Sequence, residues 1–218
     1  MQKLVIWDFD GVITDTESLL LQSRIDILSK NFQINWDMDT IMKKIGGMGD
    51  KEAGDILKTI NSDIGDNFWK DVYISDVKKI ENGLNLTDYI ENIFKNKKIE
   101  QCIATGGVFD KTKRKIKSAN IEKYFPDENI FTIDMVEKGK PEPDIFLLAA
   151  KKMGYKPENC IVIEDSVAGL TAVLRAGMTP VAFVKYSKYY FLDDIKKLGI
   201  KNIFEDMRDV ENFILENL

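Results

Sequence analysis

The sequence predicts an α/β protein: a doubly wound, mostly parallel sheet carrying a small, separate helical domain. Three observations lead there. Short β-rich segments alternate with amphipathic helical stretches over most of the chain, which implies a parallel sheet covered on both faces. Two of the strands, Leu4-Val5-Ile6-Trp7 and Cys160-Ile161-Val162-Ile163, are unbroken apolar runs, as strands buried on both faces are. One long stretch near the start shows helical periodicity alone.

Taken in order, strands are expected at 3–8, 100–105, 129–133, 160–164 and 180–184, with a short edge strand at 203–204. Helices are expected at 110–118, 144–153, 166–176 and 192–198. The segment 15–82 repeats apolar or small residues at helical spacing: Leu19, Leu20, Ser23, Ile27 and Leu28, then Ile41, Ile45, Ile56, Leu57 and Ile60. Gly46-Gly47-Met48-Gly49 interrupts it as a turn. The expected division is a core of residues 1–14 with 83–218, and a helical cap of residues 15–82. Residues 138–143 form a Gly/Pro-punctuated loop, held extended by its prolines, with Asp144 capping the next helix.

Composition narrows the function. At 218 residues and 44% hydrophobic, the chain can bury a substantial core, which excludes global disorder. A net charge of −5 argues against nucleic acid and anionic membrane as partners. No apolar run reaches the ~20 residues that span a bilayer, and residues 4–7 are too short for a signal peptide. Two cysteines, Cys102 and Cys160, make no disulfide framework and suit a reducing cytoplasm. A monomer is expected. Histidine is absent, which removes Ser-His-Asp and Cys-His catalysis and most zinc sites. Proton transfer must then rest on carboxylates, lysine, tyrosine or water.

Candidate chemistry begins at Asp8-Phe9-Asp10-Gly11. Side chains two apart on a strand share a face, and Gly11 permits a sharp turn. Two carboxylates there repel unless a cation joins them. Read alone, the pair is equally a solvated acidic turn. A second acidic pair, Glu164-Asp165, ends the strand at 160–164, with Ser166 placed to cap the following helix. Thr105 ends another strand before Gly106 and Gly107, where a hydroxyl and exposed amides can hold a phosphoryl oxygen. Lys140 lies in Gly139-Lys140-Pro141-Glu142-Pro143-Asp144. Ligands of doubly wound sheets bind at the carboxyl ends of the strands. Asp8, Asp10, Thr105, Glu164 and Asp165 all fall at such ends, which makes a site the better reading of the set.

The ordered set resembles the haloacid dehalogenase superfamily, in its phosphatases with a helical cap. The carrying residues are Asp8-Phe9-Asp10-Gly11-Val12-Ile13-Thr14-Asp15-Thr16-Glu17, Ile103-Ala104-Thr105, Gly139 to Phe146, Ile163-Glu164-Asp165-Ser166 with Ala168-Gly169, and Ala176-Gly177-Met178. The resemblance implies that Asp8 is a nucleophile forming an aspartyl-phosphate and Asp10 a general acid/base. It implies Mg²⁺ held by Asp8, the backbone carbonyl of Asp10 and Asp165, with Glu164 supporting them. Thr105 and nearby amides, that of Gly106 among them, would bind the phosphoryl group, and Lys140 would offset charge. The substrate would be a small phosphorylated metabolite, with the cap selecting it.

The sequence departs from the family pattern in places. Gly106 stands where relatives often carry Asn or Ser. Asp10 disfavours a true dehalogenase, which lacks the second aspartate. A sugar phosphomutase of the β-phosphoglucomutase type is the alternative. Those enzymes resemble this chain at Val12-Ile13-Thr14-Asp15-Thr16, but they use a cap histidine and a cap arginine. Here there is no histidine, and Arg24 is the only arginine of the cap. A phosphatase is therefore expected. A catalytically weak binding protein on the same fold ranks last, because no aspartate and no Lys140 is lost. Lys43, Lys44 and Lys51 read as a solvated helix face ahead of substrate contacts, and Trp36 and Trp69 as cap core ahead of ligand platforms.

Overall fold

The computed structural model describes residues 3–48 and 50–218; Gly49 of the expected glycine turn lies outside them. The chain forms two compact units. One runs to Asp15 and resumes over Leu84–Leu218; the other is Thr16–Gly83.

In the first unit, strands β1 (Leu4–Trp7), β2 (Glu100–Thr105), β3 (Ile130–Thr132), β4 (Cys160–Glu164), β5 (Thr179–Phe183) and β6 (Ile203–Phe204) form one sheet. Its order is β3-β2-β1-β4-β5-β6. Every pairing is parallel, so all carboxyl ends lie along one edge. The central β1 is flanked on both sides, with Ile6 opposite Cys102 and Val162.

The second unit is helical: α1 (Thr16–Phe32), α2 (Met38–Ile45), α3 (Asp50–Ile60) and α4 (Asp66–Glu81). Its buried positions include Leu21, Ser23, Arg24, Leu28, Ile41, Ile45, Leu57 and Phe68. Ile60, expected on the apolar stripe, is 42% exposed instead; it is the last residue of α3, where the stripe runs out.

The sheet unit adds α5 (Ile90–Phe94), α6 (Phe109–Ser118), α7 (Asp144–Met153), α8 (Val167–Arg175), α9 (Lys188–Lys197) and α10 (Met207–Asn217). Alternation along the strands splits the core into two faces. Leu4, Ile6, Cys102, Ala104, Cys160 and Val162 pack against Ile145, Phe146, Ala149, Ala172 and Val173 of α7 and α8. Each large apolar side chain buried this way contributes roughly 1.5–3 kcal/mol before chain entropy is counted. On the other face Trp7 meets Phe94 of α5 edge-on at 5.6 Å. Its indole N–H donates to Gln101 Oε1 (3.0 Å), and the Gln101 amide donates to the Phe94 carbonyl (3.1 Å). The buried polar pair is thereby satisfied.

Several boundaries differ from expectation. Helix α9 begins at Lys188 rather than 192, and β5 is one residue earlier than expected. Neither α5 nor α10 is among the expected helices. Helix α10 nevertheless carries a readable signal: Asp206 caps it by accepting from the Arg208 N–H, and Met207, Val210 and Ile214 are its buried stripe. The loop before α7 is turned rather than extended, with the Glu142 N–H donating to the Gly139 carbonyl at 3.0 Å. Pro143, with helical φ/ψ, occupies the N-cap position. Asp144 is therefore not the cap; it sits in the first turn, where its charge suits the helix N-terminus. Ser166 does cap α8, accepting from the Gly169 N–H at 3.0 Å. Cys102 and Cys160 are both free and buried. Among the described residues, no helix is long and apolar enough to cross a membrane.

Candidate active site

Because the strands are parallel, the residues at their carboxyl ends meet. Asp8 follows β1, Thr105 ends β2, Glu164 ends β4 and Asp165 comes next. Asp8 is 5% exposed and its N–H still joins the ladder, donating to the Ile163 carbonyl at 3.0 Å. Lys140 enters from the turn between β3 and α7. Its ammonium lies 2.5 Å from Asp8 Oδ1 and 2.8 Å from Glu164 Oε1, and 4.9 Å from the centre of the Phe146 ring.

The electrostatics of this cluster are unbalanced. Burial pushes the Asp8 carboxyl up to about 7; Lys140 opposes that, while Glu164 and Asp10 reinforce it. Burial also works against the Lys140 charge, but Asp8 and Glu164 outweigh it and hold the ammonium above its ordinary range. One cation thus serves two buried carboxylates. Asp8, Glu164 and Asp165 each offer an oxygen within 4.8 Å of the others. An all-oxygen donor set short of positive charge fits a small hard cation.

Two glycines make room for these carboxylates. Gly11 has φ +81°, and a Cβ there would lie 2.0 Å from Asp165 Oδ2. A Cβ on Gly169 would lie 1.7 Å from Glu164 Oε1. Both oxygens of Glu164 are engaged: Oε1 by Lys140, and Oε2 by the Ser166 N–H (2.6 Å) and hydroxyl (3.0 Å). That arrangement ties the Lys140 turn to the start of α8.

Asp10 is met by a different lysine from the one that meets Asp8. Strand β1 stops at Trp7, so strand alternation no longer sets the side chains after it. Lys115 of α6 reaches both Asp10 oxygens, at 2.6 and 2.8 Å. Thr105 is buried and its hydroxyl accepts from the Gly107 N–H at 3.2 Å. Gly106 is exposed, and a Cβ built on it meets nothing within 4 Å.

Lys115 is a residue that sequence reading missed. It hides among Lys111, Lys113, Arg114 and Lys117 on one helix. The available signal was phase: Lys115 lies three residues after Thr112 and four before Ala119, both buried.

In the helical unit the buried cation is Arg24, and the nearer of its two acidic neighbours, Asp50, is solvent-exposed. Arg24 donates to Asp50 Oδ1 (2.7 Å) and the Leu20 carbonyl (2.9 Å), lies 3.9 Å from Asp76 and stacks 5.6 Å from the Trp69 ring. Trp69 packs edge-on against Phe68 at 5.0 Å. Lys43 pairs with Asp39 at 2.6 Å, Lys44 lies 5.4 Å from the Trp36 ring, and Lys51 is exposed.

The haloacid dehalogenase-like hydrolase family matches residues 5–183. The protein SUPPRESSOR OF QUENCHING 1, chloroplastic, of Arabidopsis thaliana is 28% identical over 185 residues, which cover 82% of this chain but only 17% of that protein. The phosphorylated carbohydrates phosphatase of Thermotoga maritima is 30% identical over 204 residues, covering 90% of this chain and 89% of that one. Among solved structures, a putative beta-phosphoglucomutase from Thermotoga maritima superposes with a TM-score of 0.82 at 25% identity, covering 99% of this chain and 100% of that one. The matched span contains Asp8, Asp10, Thr105, Lys140, Glu164 and Asp165, and the chain belongs to the haloacid dehalogenase-like hydrolase family.

Proposed function

We propose that this chain is a Mg²⁺-dependent phosphatase that hydrolyses a small phosphomonoester, a sugar phosphate or close analogue, through an aspartyl-phosphate on Asp8. The observation that carries the reading is the buried Asp8 carboxylate, paired with Lys140 and grouped with Glu164 and Asp165.

In the first step a carboxylate oxygen of Asp8 attacks phosphorus. The new P–O bond forms as the ester P–O bond breaks, and the leaving oxygen keeps the electron pair and takes a proton from Asp10. In the second, Asp10 takes a proton from a water that attacks the same phosphorus. The bond to Asp8 breaks, releasing inorganic phosphate and restoring both aspartates. The Thr105 hydroxyl and the Gly106 amide hold the phosphoryl oxygens. Lys140 offsets the charge of nucleophile and phosphate together. Asp8, Asp165 and the backbone carbonyl of Asp10 would hold Mg²⁺, with Glu164 supporting from behind, since its own oxygens are occupied by Lys140 and Ser166. When bound, Mg²⁺ supplies the positive charge that lets a carboxylate approach a phosphate dianion.

The Thr16–Gly83 unit is assigned the role of a substrate-selecting cap. Two free buried thiols fit a cytoplasmic setting. The relative named for phosphorylated carbohydrates supports a sugar phosphate substrate. The likeness to a putative beta-phosphoglucomutase keeps a mutase as the second reading; the lack of histidine and the enclosure of Arg24 by Asp50 and Trp69 weigh against it. The test is hydrolysis of p-nitrophenyl phosphate with Mg²⁺ and with EDTA, followed by hexose 1-phosphate with free phosphate and isomer both measured. Phosphate release that needs Mg²⁺ and Asp8 supports the phosphatase. Isomer without phosphate would replace it with the mutase.

A further inference from the structure

The proton donor of the phosphatase reading has a cation of its own, on a different element from the one that serves the nucleophile. Lys115 projects from α6, and its ammonium meets Asp10 Oδ1 at 2.6 Å and Oδ2 at 2.8 Å. The Lys115 side chain is only 12% exposed, against 35% for Asp10. It also lies 5.7 Å from the centre of the Phe9 ring, so the lysine is held on its own account. Lys140 meets Asp8 and Glu164. The two aspartates of one short turn are therefore assigned to two different lysines.

We propose that Lys115 is a positioning residue that fixes the side chain of Asp10 for proton transfer to the leaving oxygen, a proposal that rests on the phosphatase reading above. A side chain just beyond the end of a strand is not oriented by the sheet, and Asp10 has the greater solvent exposure of the pair. A two-point contact from a packed lysine removes that rotational freedom, and misplacing a catalytic group by as little as ~1 Å can cost on the order of 100-fold in rate. Lys115 donates no proton in this scheme. When Asp10 carries the proton, one oxygen still accepts from Lys115 and the other presents its O–H to the leaving group. The ester P–O bond breaks, the electron pair stays on the leaving oxygen, and that oxygen takes the Asp10 proton.

Leaving-group dependence tests this, because kcat/KM reports the step in which the leaving oxygen departs. An alkyl phosphate such as glycerol phosphate needs that oxygen protonated, whereas p-nitrophenyl phosphate leaves without much help. In Lys115→Met, kcat/KM for the alkyl ester should fall about tenfold further than for the p-nitrophenyl ester, and Lys115→Arg should recover most of the gap. Lys115→Gln, measured in parallel, carries the comparison if the Met variant does not fold. An equal loss on both esters would overturn the proposal, by making Lys115 a phosphate contact or a structural residue; so would no loss. Mg²⁺-dependent turnover in the unaltered chain that disappears in Asp8→Asn upholds the phosphatase reading independently of the Lys115 result. Absence of that turnover overturns both.

Discussion

The sheet unit and the helical unit both bury charge, and they balance it differently. In the helical unit the buried Arg24 guanidinium has Asp50 at 2.7 Å, Asp76 at 3.9 Å and the Leu20 carbonyl at 2.9 Å. Its exposed Lys43 and Asp39 pair one turn apart. The cation is enclosed by partners of its own unit. In the sheet unit one ammonium, that of Lys140, stands between two buried carboxylates while a third, Asp165, lies close by. Burying like charges in that way costs stability, and folding alone gives no reason to keep the arrangement. A buried cation whose nearer acidic partner stays in water goes with structure, whereas a cation shared by two buried carboxylates at a sheet edge goes with chemistry.

The largest effect expected from breaking this comparison is at Asp8. Asp8→Asn should reduce kcat by about 10³-fold or more, while its melting temperature stays level or rises, since a buried like-charge repulsion is relieved. A variant with full activity would end the nucleophile assignment. Gly11→Ala comes next. It forces φ +81° on a residue with a Cβ and drives that Cβ to 2.0 Å from the Asp165 carboxylate. About tenfold weaker Mg²⁺ binding is expected, with a loss of roughly 1–3 kcal/mol in stability; Mg²⁺ titration followed by turnover reads the first and thermal melting the second. Unchanged Mg²⁺ affinity would mean that Asp165 is not a ligand.

Arg24→Met probes the helical side of the comparison. It removes the guanidinium 3.9 Å from Asp76, one oxygen of which is already buried without a hydrogen-bond partner among the described residues and whose carboxyl burial already pushes up. A loss of about 2–3 kcal/mol is expected, read as a drop of several degrees in melting temperature. Turnover of p-nitrophenyl phosphate at 20 °C should stay within about threefold. An unchanged melting temperature with collapsed turnover would move Arg24 from structure to chemistry.

Legibility in the sequence follows the same division. Strands β1 and β4 are readable because a short, unbroken apolar run is what a strand covered on both faces requires. Asp8, Thr105 and Glu164 are readable because strand ends in a parallel sheet share one edge. Lys115 is not, because a lysine on a basic helix looks the same whether it faces water or an aspartate; only its phase against Thr112 and Ala119 distinguishes it. Gly169 is visible as part of a pattern, but the reason for it, the Glu164 carboxylate occupying the space of a Cβ, exists only in three dimensions. The helical unit shows its periodicity but not its centre. Ser23 falls in the apolar stripe by spacing alone, and nothing in the sequence marks Arg24, the lone arginine there, as an interior group.

The smallest effect sharpens the charge argument without altering a residue. Burial and neighbouring carboxylates raise the Asp8 carboxyl from 3.8 to about 7. Between those two pH values the folded chain holds the Asp8 proton more often than the unfolded chain does. Stability from this group is therefore fully present below pH 3.8 and declines as pH rises toward 7. A bound divalent cation reverses the preference, because it needs the carboxylate ionised and must displace the proton at lower pH. The gain in melting temperature on adding Mg²⁺ in place of EDTA should accordingly be several degrees larger at about pH 8 than at about pH 5.5. Glu91 and Asp206, each held at about 2, titrate below this window and leave the difference alone. In Asp8→Asn the pH dependence of the Mg²⁺ gain should flatten, since the proton that competes with the metal is gone. An equal gain at both pH values in the unaltered chain would show that the surplus negative charge is relieved elsewhere, and the mismatch at the sheet edge would then lose its claim to mark the metal site.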